Sequence, residues 1–149
     1  MKISEVNLNS NKFDMLLFTK EEFKMVTGTD LSIVLEEDDD NSNIVNRTIN
    51  DACMLIKQMV MEYSYKDLLL FKDELYYNGL KINNEQVIRY IKLAAMEQLT
   101  YNLLNGDLSL RSGIGLTKKM FNAKDKKKVT YAPRAKSLLM EAGLLGGLL

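Results

Sequence analysis

The longest regular pattern in the chain spans residues 42–63. Val45, Ile49, Ala52, Cys53, Ile56, Met59, Val60 and Tyr63 recur there at three- and four-residue spacing. Side chains three and four apart share one helical face, so the spacing predicts a long helix with a single apolar stripe. Met54 and Met61 lie off that stripe and are available for a second contact. A shorter helix is expected over residues 66–77, carrying Leu68, Leu69, Phe71, Leu75 and Tyr76 and ending at Asn78-Gly79. A third begins at Asn83, with Gln86 three residues on, and runs to Asn105-Gly106. Its inward set is Val87, Ile91, Ala94, Ala95, Gln98 and Leu99, whose small members let another helix approach closely. Three such helices predict a small bundle and a mainly α fold. Met and Tyr on those stripes read as core rather than as cofactor contacts.

The pattern weakens on either side. Residues 1–18 have no helical period, and the weak alternation of Val6 and Leu8 predicts an extended N-terminal arm. Thr19-Lys20-Glu21-Glu22 has the spacing of a capping box, opening a short helix with Phe23 and Val26 inward and a stop at Gly28. Residues 31–35 suit a brief strand or a packed loop. After Gly106, Leu108, Leu110, Ile114 and Leu116 alternate with polar or glycine positions, which predicts a short extended or β segment. Pro133, the single proline, fits a first helical turn, where its missing N–H costs nothing. Ala135, Leu138, Leu139 and Ala142 follow on one face, and Gly143 suits a left-handed cap. Leu144, Leu145, Gly146, Gly147, Leu148 and Leu149 then form an apolar tail without a charged side chain. The expected organisation is an arm over 1–18, a bundle core over 19–106, and an assembly region over 107–149.

Composition narrows the chemistry. The chain has 149 residues, one cysteine and no histidine. Without histidine, zinc sites and Ser–His or Cys–His nucleophile pairs cannot be built from this chain alone. No glycine-rich phosphate loop ends in Lys-Ser/Thr. An enzyme is not expected, nor a cofactor, nor a metal. Cys53 sits on the apolar stripe and reads as a small buried hydrophobe, and a lone cysteine suits a reducing compartment. The start Met1-Lys2-Ile3-Ser4-Glu5 gives no signal-peptide pattern, and no run reaches the length of a membrane span.

Charge is balanced in total, with 20 basic and 20 acidic residues, but divided along the chain. Residues 1–74 carry eight basic and fifteen acidic side chains, and residues 75–149 carry twelve and five. Such a division either steers head-to-tail contact between copies or folds into one mixed surface. The carboxylates from Glu36 to Asp40 lack the alternating ligands and central glycine of a calcium loop, and read as a solvated acidic turn before a helix. Lys118, Lys119, Lys124, Lys126, Lys127 and Lys128 crowd eleven residues with one acid, Asp125. A solvated loop is the plain reading, because no aromatic platform alternates through them. Contact with nucleic-acid phosphates is the sharper one.

The order of elements resembles the head-to-tail connector, or adaptor, proteins of tailed bacteriophages. Five features carry the resemblance: Phe18 to Glu22 before an acidic loop; a long helix containing Ile49-Asn50-Asp51-Ala52; a helix with Ala94-Ala95 and Gln98 running to Tyr101 and Asn105-Gly106-Asp107; Gly113-Ile114-Gly115; and the ending from Tyr131 to Leu145. The resemblance implies an α-helical core, a homo-oligomeric ring of 12 copies, docking beneath a portal protein, further connector or tail proteins below, and a lumen passing double-stranded DNA. It implies a virion protein made in the host cytoplasm, with no membrane partner. On that reading Leu108, Leu110, Ile114, Leu116, Tyr131, Pro133, Leu138, Leu139, Leu144, Leu145, Leu148 and Leu149 are expected to contact the portal or a neighbouring subunit, and the six lysines to face DNA. The alternative is a small helical nucleic-acid-binding protein, a packaging or regulatory factor, whose phosphate contact is the same lysine loop.

Overall fold

The computed structural model describes residues 13–105 and 131–146. Thr19 opens the first helix with the reciprocal cap its sequence predicts. Its hydroxyl accepts the Glu22 N–H at 3.1 Å, and its own N–H donates to the Glu22 carboxylate at 3.0 Å. Helix α1, Lys20–Thr27, buries Phe23 and stops at Gly28, which takes φ 82°. Val26, expected inward, is exposed, because Phe23 alone fills the inward side of this short helix. Asp30 then accepts the Ser32 N–H and starts α2, Leu31–Val34, a single helical turn where a strand or loop was expected. Leu31 and Leu35 are both buried while Ile33 between them is exposed, which fits a helical turn and not the period of two of an extended segment.

Asp38 caps a 3₁₀ turn, Asp39–Asn41, and α3 follows as Ile44–Ser64. The predicted stripe is buried from Val45 to Val60, while Tyr63 at its end is exposed. Tyr65 stops the helix at φ 60°.

The helix expected over residues 66–77 is instead a three-stranded antiparallel meander. Strands β1 (Leu68–Phe71), β2 (Glu74–Tyr77) and β3 (Leu80–Lys81) pair with Leu70 opposite Leu75 and Tyr77 opposite Leu80. Two tight turns decide this. Lys72 and Asp73 take φ 51° and 65°, and Asn78 and Gly79 take φ 56° and 84°. Paired left-handed residues in a two-residue loop match the twist of an antiparallel hairpin and cannot continue a helix. Lys57 pins the meander to α3, its ammonium donating to the Asp67 carboxylate and the Leu68 carbonyl, both at 2.8 Å.

Asn84 caps α4, Glu85–Leu104, by accepting from the N–H groups of Gln86 and Val87. Ile91, Ala94, Ala95, Gln98 and Leu99 are fully buried, and Val87 is half-buried. The third bundle helix is α5, Pro133–Glu141, which packs along α4 while α3 packs on the same helix. Residues 13–18 do not hang free: Met15, Leu17 and Phe18 are buried, and the Met15 N–H donates to Asn50 of α3 at 2.9 Å. The fold is mainly α, as expected, with the meander added and α5 inside the core. The expected extended segment at 107–116 lies outside the described residues.

Candidate assembly surface

The region assigned to assembly begins, in the described structure, with a buried polar clasp. The Gln98 side chain on α4 accepts the Ala132 N–H at 2.8 Å and donates to the Asn102 amide oxygen at 2.8 Å. A helix start has orphan N–H groups, and Ala132 offers no side chain to cap them. The glutamine of a neighbouring helix binds the backbone at this entry. The amide nitrogen of Asn102 is buried without a hydrogen-bond partner among the described residues.

Pro133 takes the first helical position and is exposed. From there Ala135 and Leu139 are fully buried, and Leu138 is half-buried. Ala94 and Ala95 are fully buried on α4, the helix that packs against both α3 and α5. Burying one leucine of this kind is worth roughly 1.5–3 kcal/mol before entropy is counted. The surface ion pair Arg134–Glu97, at 3.3 Å, adds little by comparison.

Gly143 then turns the chain, with φ 78°. Its N–H donates to the Met140 carbonyl and the Leu144 N–H to the Leu139 carbonyl, both at 3.0 Å, which is a Schellman closure. The turn sends Leu144 and Leu145 into the core rather than outward. The Tyr77 hydroxyl of β2 donates to the Leu144 carbonyl at 3.1 Å. Beyond it, Gly146 passes so close to the end of α3 that a Cβ there would lie 3.2 Å from Ser64 Cα and 3.3 Å from the Tyr63 carbonyl oxygen. Lys136 lies over the Tyr63 ring at 4.6 Å, a cation–π contact across the same junction.

Tyr131 is half-buried. Its hydroxyl sits beside Glu62 and Gln58 without closing a hydrogen bond of good geometry. Burial, and then the Glu62 carboxylate, push its ionisation up to about 12. Cys53 is likewise raised to about 12 by burial, so its thiolate is scarce at neutral pH.

Among the residues expected to meet a partner, Leu139, Leu144 and Leu145 are therefore core, Tyr131 and Leu138 are half-buried, and Pro133 is exposed. Leu108, Leu110, Ile114, Leu116, Leu148, Leu149 and the six lysines from Lys118 to Lys128 lie outside the described residues. Sequence reading missed a different apolar surface. Met25 and Val26 of α1 and Ile33 and Val34 of α2 are all exposed, as are Leu69 and Phe71 on the meander. The signal was present for Ile33: burying Leu31 and Leu35 on one face of a single turn obliges it to face away, while Val34, three residues from Leu31, flanks the buried side and is less exposed. A cleft of about 560 Å³ lies between the meander and the segment from Leu16 to Thr19, with the Lys92–Glu22 and Lys81–Glu74 ion pairs at its edge. Among the described residues no three acidic or thiol groups converge as metal ligands, and no helix is long and apolar enough to cross a membrane.

No family of known proteins, no curated protein and no solved structure matches this chain.

Proposed function

We propose that this chain is a structural, non-catalytic subunit of the head-to-tail connector of a tailed bacteriophage. It would form a ring of about 12 copies beneath the portal, above further connector or tail proteins, and line part of the channel for double-stranded DNA. One observation supports the reading best. The described residues on either side of the apolar and then basic stretch both lie at α4, Asn105 at its end and Ala132 at the Gln98 clasp. Gln98 and Asn105 are separated by about 10 Å of helix. A bundle that holds both ends of one basic and apolar stretch close together fits a subunit that offers that stretch to neighbours or to passing DNA. The buried Leu139, Leu144 and Leu145 shift the weight of the proposal from the apolar tail to this stretch.

The test is to mix the purified chain with portal rings and follow co-sedimentation and negative-stain images. A ring docked on the portal is the expected result. A strictly monomeric protein that ignores the portal overturns the reading. Tight duplex binding by that monomer, falling steeply with salt and lost when Lys124, Lys126, Lys127 and Lys128 become Gln, would support the nucleic-acid-binding alternative instead.

A further inference from the structure

The outer face of α1 and α2 combines two properties. Met25 is 84% exposed, Val26 56%, Ile33 72% and Val34 40%, four apolar side chains within ten residues of chain. Met25 and Ile33, two residues on from the buried Phe23 and Leu31, point away from them, while Val26 and Val34, three residues on, flank the buried side and are less exposed. Immediately beyond them stand Glu36, Asp38, Asp39 and Asp40, all exposed. Nearby acids are already matched: Asp30 by Lys24 at 3.7 Å, and Glu37 by Lys20 at 3.1 Å with the Ser32 hydroxyl at 2.8 Å. Glu36, Asp38, Asp39 and Asp40 have no ion-pair partner among the described residues. The face thus carries uncompensated negative charge beside apolar area, and its complement must be apolar and basic.

This chain contains such a complement. Leu108, Leu110, Ile114 and Leu116 are followed by six lysines within eleven residues. We infer that the α1–α2 face is the docking surface for the basic stretch, residues 107–128, of a second copy of this chain. The inference rests on the connector reading and names the surface through which neighbouring copies meet. The placement within one copy suits an exchange between copies. The Lys92–Glu22 ion pair holds α1 against the first half of α4, whereas the basic stretch leaves beyond Leu104. The thirteen residues from Lys92 to Asn105 span about 20 Å of helix. A negative apolar face on one copy and the positive apolar stretch of another are two different surfaces, so their contact is heterologous and closes into a ring when the rotation per copy allows it. Opposite charge sets the direction of that contact and disfavours pairing of like ends.

The experiment uses an equal mixture of ordinary and ¹⁵N-labelled full-length protein, with and without portal rings, joined by a zero-length carbodiimide. Mass spectrometry then reads which carboxylates join which lysines, and whether the isotopes are mixed. Mixed-isotope links between the 36–40 carboxylates and Lys118–Lys128 are expected. Same-isotope links alone, or none between these groups, overturn the inference. In parallel, Ile33→Asp with Val34→Asp, an exposed change that leaves the core intact, is expected to weaken self-association at least tenfold by sedimentation. Unchanged association overturns it as well. Rings docked on the portal without these links would leave the connector reading standing and this face wrong. Mixed-isotope links in a protein that ignores the portal would uphold the face and remove the connector reading.

Discussion

Gln98 and Ala132 meet across thirty-four residues of sequence, the glutamine oxygen accepting the alanine N–H at 2.8 Å in a buried setting. Replacing Gln98 with Leu keeps most of the volume but leaves the Ala132 N–H and the Asn102 oxygen buried and unpaired. A buried group stripped of its partner costs about 1–3 kcal/mol. Urea unfolding of Gln98→Leu should show a loss of that order, and the Ala132 amide should exchange much faster than in the parent protein. An unchanged exchange rate would mean that the clasp does not hold the helix start.

Leu139 separates core from docking. As a docking residue it would affect assembly and leave the isolated chain stable. Its full burial between α5 and α4 predicts the opposite, a loss of about 2–5 kcal/mol for Leu139→Ala, read from the denaturation midpoint of the unassembled protein.

Gly146 has a second job besides its left-handed φ of 67°. A Cβ would press on the backbone of Tyr63 and Ser64, which cannot step aside as a flexible side chain would. Gly146→Ala should release the tail from the end of α3 and lower stability by about 1–2 kcal/mol. Faster amide exchange at Leu144 and Leu145 would report the release directly, and parent-like protection there would contradict it.

Cys53 should be inert to a thiol reagent in the folded protein and react at once in denaturant. Its thiol is fully buried and its ionisation is raised to about 12. Rapid labelling under native conditions would place the thiol at the surface.

The Tyr131 phenol, held neutral by burial and by Glu62, makes an alkaline prediction. Its folded ionisation lies near 12, against about 10 for a free tyrosine. A group raised in this way contributes stability that is complete below pH 10 and is lost as pH rises toward 12. Ultraviolet difference titration of the parent against Tyr131→Phe should show one phenol ionising near 12, and the variant should lose less stability between pH 10 and 12.

The two long helices were legible because α3 and α4 bury one continuous stripe each, and three- and four-residue spacing sustained over that length fits no strand. The meander was not. Leu68, Leu69, Phe71 and Leu75 satisfy a helical period and a strand period at once, and Lys72-Asp73 carries no glycine to betray its turn. Asn78-Gly79 was the available sign, since that pair suits a two-residue hairpin loop better than a helix end. The place of α5 was half legible. Ala94 and Ala95 announced a close helix, yet an apolar chain end reads equally as a hook for a partner and as a cover for its own bundle. Only the positions of Leu139, Leu144 and Leu145 decide between the two, and those depend on a contact between segments far apart in sequence.

That distance has a cost in time. Helix α4 is complete once residue 105 is made, but α5, which packs along it, begins only after the next 27 residues. At 5–20 residues per second the interval is about 1–5 s, far longer than a helix takes to form. During it α3 and α4 can pair while the side of α4 that α5 covers stays open to solvent. Until the nine residues of α5 are made, the bundle lacks the helix that closes it.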